Sequence, residues 1–252
     1  MSHNLDDITP ELLLYAYTEG LFPMAEGAES SKIYWFDPEM RGQLSISGLH
    51  VPKRLQKTIR HYPYDIRVNT DFAAVIKSCG VSGRYRPESW INKTIIDLYT
   101  QLHDLGFAHS VEAWDRETEE LVGGVYGVAL GGAFFGESMF HRATDASKIA
   151  LVHLTARLWR QGYQIFDTQF VNEHLEQFGV YELPRAEYKA QLAEALNKPC
   201  VFYSDLDSEG AGGSSSLAES PAESSPETTT APAELALVSD FLQSITQTSK
   251  TG

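Results

Sequence analysis

Apolar and polar positions follow two distinct periods along most of the chain. Apolar residues spaced three or four apart predict helices, and strict alternation predicts strands with one buried face. The first helix is expected to begin at Thr9 and Pro10, as N-cap and first helical residue, and to end at Gly20. Helical spacing also recurs in the segments 51–61, 70–80, 89–106, 145–159, 172–179 and 184–196.

Strands are predicted between these helices, at residues 33–38, 42–46, 65–69, 108–115, 120–130, 133–140 and 163–171. The strands on either side of Gly131 and Gly132 are expected to form a hairpin, because a glycine pair is typical of a two-residue turn. From Ala108 onward the order is three strands, a helix, a strand and then helices. This order predicts an α+β fold with a largely antiparallel sheet.

The periodic pattern stops near residue 204, where Ser, Glu, Ala, Pro and Gly dominate and little can be buried. Residues 204–252 are therefore predicted to be an acidic disordered tail. Its last part, "AELALVSDFLQSI", has helical apolar spacing, which fits either a short docking helix or a transient helix in a disordered segment, and the second interpretation is favoured. The chain then divides into a small N-terminal lobe (1–62), a main domain (63–203) and this tail.

Composition bears on cysteine-based sites and on the cellular location of the protein. The chain has 252 residues and two cysteines, Cys79 and Cys200, without ligand-like spacing, so a disulfide framework or a cysteine zinc site is not expected. The N-terminus has no basic region followed by an apolar core, and no apolar run approaches the roughly 20 residues that span a membrane. A cytoplasmic location without membrane attachment is predicted.

Net charge bears on the possible partners. Of the formal charge of −14, residues 204–252 contribute −7, from eight acids and one base, and the rest of the chain carries the other −7. A polyanion would thus need a concentrated basic patch. Four bases lie close together on the helix predicted at 51–61, and they fit a phosphate-binding patch or an ordinary solvated face equally well: Lys53, Arg54, Lys57 and Arg60.

Three positions could carry chemistry. Asp167 and Gln169 are two apart on a predicted strand and share one face, where they could accept a proton and orient an amine, although a polar sheet edge explains the same pattern. Glu137 lies among aromatic residues, which points either to a salt bridge with Arg142 or Lys148 or to a substrate amine. Sequence motifs for nucleotide cofactors and clusters of metal ligands are not found, so neither a cofactor nor a metal is expected.

Several stretches, in order, resemble one family, the leucyl/phenylalanyl-tRNA–protein transferases, which are bacterial N-end-rule enzymes. They are "AYTEGLFPM", "WFDP", "SWI", "LGFAHSVEAW", "ELVGGVYGVALGGAFFGESMF", "DASKIAL", "FDTQFVNEH" and "LPRAEY". The resemblance implies transfer of Leu or Phe, and sometimes Met, from aminoacyl-tRNA to proteins that begin with Arg or Lys. It also implies an acetyltransferase-like (GNAT-like) C-terminal domain behind a small N-terminal lobe, acting as a monomer.

The resemblance also implies roles for individual residues. Asp167 and Gln169 match the positions that handle the incoming amine and its proton. The substrate-binding positions implied are Glu137, Phe134, Val125, Met24, Trp90 and Asn172, and the basic helix from Lys53 to Arg60 would grip the tRNA. Met24 and Val125 stand where the best-known members have Trp and Met. Two alternatives remain open at this point: a tRNA-binding protein without catalysis, and an acyl-CoA-dependent N-acetyltransferase.

Overall fold

The computed structural model describes residues 2–3, 8–30, 32–81, 89–202 and 231–251. The helices within these ranges are α1 (Pro10–Thr18), α2 (Lys53–Arg60), α3 (Phe72–Gly80), α4 (Lys93–Asp104), α5 (Ala146–Arg160), α6 (Glu173–Glu176), α7 (Arg185–Leu196) and α8 (Ala231–Thr251). The strands are β1 (Ser2–His3), β2 (Phe22–Ala25), β3 (Ile33–Phe36), β4 (Met40–Leu44), β5 (Tyr64–Val68), β6 (Ala108–Asp115), β7 (Leu121–Leu130), β8 (Ala133–His141), β9 (Ile165–Gln169) and β10 (Tyr181–Pro184). No helix in the described ranges combines the length and the apolar character needed to cross a bilayer.

A seven-stranded sheet, in the order β10-β4-β9-β8-β7-β6-β5, forms the centre of the molecule. Among the described strands every neighbouring pair in it is antiparallel except β8 and β9, which run parallel. The hairpin predicted at Gly131 and Gly132 joins β7 to β8. The predicted α+β class is therefore confirmed, with a mixed sheet at its centre.

The two faces of this sheet are covered by different helices. One face carries what we call the first core, in which Leu55 of α2, Leu151 of α5 and Phe241 of α8 are buried. The other face carries the second core, with Leu13 of α1 and Ile95 of α4, together with residues of α3 and α7. For a residue of the sheet, the core in which its side chain is buried therefore identifies the face on which that side chain lies.

The predicted N-terminal lobe, residues 1–62, is not separate from the main sheet. Strand β4 pairs with both β9 and β10, and α2 packs on the first core. The β1-β3-β2 sheet is the part of this segment that forms a sheet of its own. The N-terminal segment thus supplies a strand next to the one that carries Asp167 and Gln169.

The C-terminal segment departs from the prediction. Residues 231–251 form the helix α8, which packs along α5, so the predicted disorder is wrong for these residues; residues 204–230 lie outside the described ranges. The helix buries its apolar stripe in the first core: Val238, Phe241, Leu242 and Ile245. Composition alone hides this outcome because the partner surface lies on α5, far away in the sequence, and cannot be inferred from the tail itself.

Candidate functional site

Glu137 lies in a β-bulge of β8. Across the β7–β8 ladder, Tyr126 pairs with Ser138 and Gly127 with Gly136, so Glu137 is the extra residue, with no residue opposite it on β7. A bulge redirects a side chain and disrupts the ladder locally. The glycines permit it, since a Cβ on Gly127 would lie 2.2 Å from the Phe135 carbonyl oxygen.

Three side chains donate hydrogen bonds to the Glu137 carboxylate. Tyr17 Oη donates to Oε1 over 2.7 Å, Tyr99 Oη donates to Oε2 over 3.1 Å, and Gln169 Nε2 donates to Oε1 over 3.1 Å. The hydroxyls of Tyr17 and Tyr99 also contact each other. These donors come from α1, α4 and β9, so three elements far apart in sequence converge on one carboxyl group.

Glu137 has no basic partner of the kind expected from the sequence. Arg142 donates instead to the Leu121 carbonyl and to Ser78, and Lys148 pairs with Asp145. The salt-bridge interpretation is therefore wrong. Burial raises the pKa of Glu137 to about 7, against the hydrogen bonds from the two tyrosines, which lower it.

Asp167 is enclosed by donors. Arg41 donates from Nε to Oδ1 over 2.9 Å and from Nη2 to Oδ2 over 2.7 Å, and Tyr188 Oη donates to Oδ2 over 2.6 Å. The Gln169 backbone N–H donates to Oδ1 over 2.8 Å. Asp167 has no solvent exposure, so this carboxylate holds its neighbours in place and does not face an open space.

Gln169 occupies an unusual backbone conformation at the end of β9. Its φ is +60°, and the Phe170 N–H donates to the Thr168 carbonyl over 2.6 Å, which makes Gln169 the centre of a γ-turn. γ-turns with a positive central φ are rare and strained, and strain of this kind concentrates at functional sites. The turn lets Gln169 reach Glu137 while its backbone N–H stays on Asp167.

Arg41, Tyr17, Tyr99 and Tyr188 belong to this network and were not singled out from the sequence. Each lies 21 to 126 positions from its partner in Asp167 or Glu137, and such long-range pairs leave no local pattern. Two faint signals existed. Tyr17 lies within "AYTEGLFPM" and Tyr188 within "LPRAEY", two of the stretches that carry the family resemblance.

Trp90 and Met24 lie close together on the same face as Glu137. The Ala25 N–H donates to the Trp90 carbonyl over 3.2 Å, and both side chains are partly buried against the second core. Trp90 lies before α4 and not just inside a helix that starts at residue 89, as the sequence predicts, because Asn92 is the N-cap of α4 and its side chain accepts from the Ile95 N–H. The structure therefore brings Trp90 beside the N-terminal segment.

Phe134 and Val125 lie on the opposite face. Both are buried in the first core, where Phe134 packs edge-on against Phe166 and stacks with Phe202. Asn172 is exposed and caps α6 through a hydrogen bond from the Leu175 N–H. These three predicted site residues are thus not gathered around the Glu137 carboxyl.

The basic helix α2 presents its charges to solvent. Leu55 and Ile59 face the first core, and the four basic side chains are exposed: Lys53, Arg54, Lys57 and Arg60. None of the four forms an ion pair with any residue in the described part of the chain. The helix has no acidic residue, so its positive charge is uncompensated along its own length.

The site contains the carboxyl group of Glu137, with a pKa of about 7, next to the side-chain amide of Gln169, which is held by a hydrogen bond to it. A group with a pKa close to the working pH is well suited to accept a proton from a nucleophile. The Gln169 amide has an oxygen that remains available once Nε2 is bonded to Glu137. The arrangement suits an amine nucleophile and an already activated acyl group.

Comparison with known proteins gives a consistent result. Residues 43–193 match the sequence profile described as leucyl/phenylalanyl-tRNA protein transferase, and residues 6–39 match the N-terminal domain of the same family.

Individual relatives carry the name leucyl/phenylalanyl-tRNA–protein transferase. The protein from Paramagnetospirillum magneticum is 54% identical over 195 residues, which cover 77% of this chain and 92% of the relative. Those from Caulobacter vibrioides and Phenylobacterium zucineum are both 52% identical, over 79% and 76% of this chain and 90% and 86% of their own lengths.

Proposed function

Since the chain belongs to the leucyl/phenylalanyl-tRNA–protein transferase family, we propose that it transfers Leu or Phe from aminoacyl-tRNA to the N-terminal amine of an acceptor protein. The observation that carries the proposal is the carboxyl group of Glu137, held by Gln169 and two tyrosines with its pKa raised to about 7. Met is proposed as a further donor. Acceptors are proposed to begin with Arg or Lys, and the product is then an N-end-rule degradation signal.

The reaction is an aminolysis. The acceptor nitrogen attacks the ester carbonyl carbon, a C–N bond forms, the C–O bond to the terminal ribose breaks, and the amine proton is passed on so that the ribose leaves as a hydroxyl. The ester is already activated, so holding amine and ester together supplies much of the acceleration. Transfer of the amine proton is the part that needs a residue of suitable pKa.

We assign Gln169 and Glu137 to the amine. The Gln169 side-chain oxygen would accept a hydrogen bond from the nucleophilic nitrogen, and Glu137 would take its proton. Asp167 was expected to receive that proton through Gln169. Its complete burial and its hydrogen bonds from Arg41, Tyr188 and Gln169 support a positioning role instead.

The donor is proposed to lie across the centre of the sheet. The pairing of β8 with β9 ends at Phe135 and Asp167, and a Leu or Phe side chain entering beyond that point would meet Phe134 and Val125 in the first core. Trp90, beside Met24, is proposed to stack on the terminal adenosine. Asn172 is proposed to contact the same end of the donor.

The tRNA body is proposed to lie along α2. Exposed bases without acidic partners are the usual contacts to phosphates. His50, just before this helix, donates from its backbone N–H to the Phe178 carbonyl, which links α2 to the segment that follows Gln169. This link supports a continuous path from Lys53, Arg54, Lys57 and Arg60 to the reaction centre.

We further propose an acetyltransferase-like arrangement for the main domain, which the parallel β8–β9 pair within an otherwise antiparallel sheet supports. The matched ranges 6–39 and 43–193 support a lobe boundary near residue 40, earlier than residue 62. The chain is proposed to act as a monomer.

The test uses tRNA charged with labelled Leu or Phe and peptides that begin with Arg, Lys, Asp, Glu or Ala. Label should move only to the Arg and Lys peptides, and ribonuclease treatment of the donor should abolish transfer. Transfer from acyl-CoA that ribonuclease leaves unchanged would favour an N-acetyltransferase. Binding of charged tRNA without any transfer would leave a tRNA-binding protein.

A further inference from the structure

Arg41 is the most completely enclosed basic side chain of the site. It is 1% exposed, and its guanidinium carbon lies 4.6 Å from the ring centroids of both Phe22 and Tyr188. Besides its bonds to Asp167, it donates from Nη1 to the Gly20 carbonyl over 2.8 Å. One side chain of β4 thus contacts the end of α1, strand β2, strand β9 and helix α7.

The carboxylate that Arg41 binds is the one that holds the strained turn. Asp167 Oδ1 accepts both the Arg41 Nε–H and the Gln169 backbone N–H. Gly42, the residue after Arg41, lies directly across from Gln169, and a Cβ there would be 2.8 Å from the Phe170 carbonyl carbon. Gly42 therefore packs directly against the turn, while Arg41 holds the Asp167 carboxylate that accepts the Gln169 N–H.

We propose that Arg41 is a positioning residue for aminoacyl transfer, which sets the Gln169 turn through Asp167 and so holds the Gln169 amide on Glu137. The inference rests on the function proposed above. An ion pair that served stability alone could be replaced by packed apolar side chains at little cost. This pair differs because the same carboxylate oxygen also accepts the Gln169 N–H and so helps to hold the strained backbone of the turn.

The geometry separates Arg41 from lysine. A guanidinium donates through two nitrogens and lies flat between rings, whereas an ammonium is a compact point charge that does neither. Arg41→Lys keeps the charge opposite Asp167 but loses the two-point contact and the stacking between Phe22 and Tyr188. A matched control is Arg185→Gln, because Arg185 also ties α7 to the N-terminal segment, through Asp37 and the Pro38 carbonyl, without contacting Asp167.

The experiment measures single-turnover transfer and the KM for charged tRNA in wild type, Arg41→Lys and Arg185→Gln. Arg41→Lys should lower the rate of transfer by about 100-fold, as displacement of a reacting group by about 1 Å does, with KM for tRNA nearly unchanged. Arg185→Gln should transfer at the wild-type rate. An Arg41→Lys rate within threefold of wild type, or an equal loss in Arg185→Gln, would overturn the proposal.

Amide hydrogen exchange at Gln169 provides a readout that does not depend on activity. Protection of the Gln169 N–H should persist in Arg185→Gln and be lost in Arg41→Lys; protection retained in Arg41→Lys would overturn the proposal even if the wild type proved inactive in transfer.

Phe22→Leu covers the case in which Arg41→Lys does not fold. It removes one ring from the guanidinium and should lower the rate by about tenfold, and an unchanged rate would count against the positioning role.

Discussion

At the scale of the residue, the chemistry proposed for this protein centres on one carboxyl group, that of Glu137. Glu137 is partly buried at the edge of an aromatic region, and burial raises its pKa while the hydroxyls of Tyr17 and Tyr99 oppose the rise. The sequence identified this glutamate as unusual because a carboxylate among aromatic residues needs a partner. It could not identify the partners, since tyrosines from α1 and α4 approach only when the chain folds.

The balance of these effects predicts how the pKa of Glu137 responds to mutation. Tyr17→Phe removes a hydrogen bond to the ionised form, so the pKa of Glu137 should rise above 7. Tyr99→Phe should raise it less, because its hydrogen bond is longer. Titration of the Glu137 side-chain carbon by NMR would measure both, with Tyr64→Phe as a control outside the network. A lower pKa in Tyr17→Phe would contradict this description of the site.

Secondary structure was largely predictable at the scale of the element. The helix N-caps at Thr9 and Asn172 and the hairpin turn at Gly131 and Gly132 follow from local backbone chemistry, so these element ends are visible in the sequence. The bulge at Glu137 and the turn at Gln169 were not predictable in the same way. They depend on which strand lies alongside, and the pairing of β4 with β9 joins residues more than a hundred positions apart.

Helix α2 should act on tRNA through its charge. Lys57→Glu should weaken the binding of tRNA and reduce the slope of log affinity against log salt by about one unit or more, because at least one phosphate contact is lost. Lys198→Glu is the matched control, because it makes the same charge change at a different place. Lys198 lies beside the β7–β8 turn, and since β8 and β9 run parallel, this turn is at the other end of the pair from Gln169. Equal effects of both variants in titrations at several salt concentrations would remove α2 from the tRNA site.

Helix α8 is held by a buried ionic cluster. Glu234 accepts from Arg157 and contacts His153 Nδ1 at 3.2 Å, and all three side chains are buried. Glu234→Gln leaves Arg157 without its counter-charge and should reduce the free energy of unfolding by about 3 kcal/mol. Asp240→Asn, which removes an exposed pair with Arg160, should cost less than about 1 kcal/mol. Similar urea midpoints for the two variants would contradict the docked position of α8.

The same cluster gives a direction for pH. Although burial opposes it, the hydrogen bond from His153 and the charge of Arg157 lower the pKa of Glu234 below its ordinary value of 4.5. A depressed folded-state pKa contributes stability above the unfolded value and loses it as the pH falls. The docking of α8 is therefore expected to weaken below pH 4.5.

At the scale of the whole molecule, the helix α8 and the carboxyl group of Glu137 lie on opposite faces of the central sheet. The family profiles end at residue 193, and α8 packs on the first core, whereas Glu137 bonds to residues of the second. Removal of residues 231–252 should lower the thermal midpoint by several degrees, because it exposes apolar surface on α5. Transfer at low temperature should stay within about twofold of the full chain, because α8 packs mainly on α5 and β5, whereas Glu137 and Gln169 lie on β8 and β9.

Calorimetry and transfer assays on the truncated and full chains would check this separation. Phe241→Ala in the full chain is a useful companion, because it removes a fully buried ring that packs against Trp159 of α5 without shortening the protein. An unchanged thermal midpoint in both would show that α8 adds nothing to the fold. A large loss of transfer at low temperature would show that the helix belongs to the active machinery.

The central claim, that Glu137 takes the proton of the acceptor amine, is tested most directly by the pH dependence of single-turnover transfer. Wild type and Glu137→Gln would be compared with the same charged tRNA and peptide, so that ionisation of the peptide amine affects both equally. The ratio of the two rates should rise with pH and level off above about 7, the pKa of Glu137. A ratio that stays near one at every pH would contradict the account.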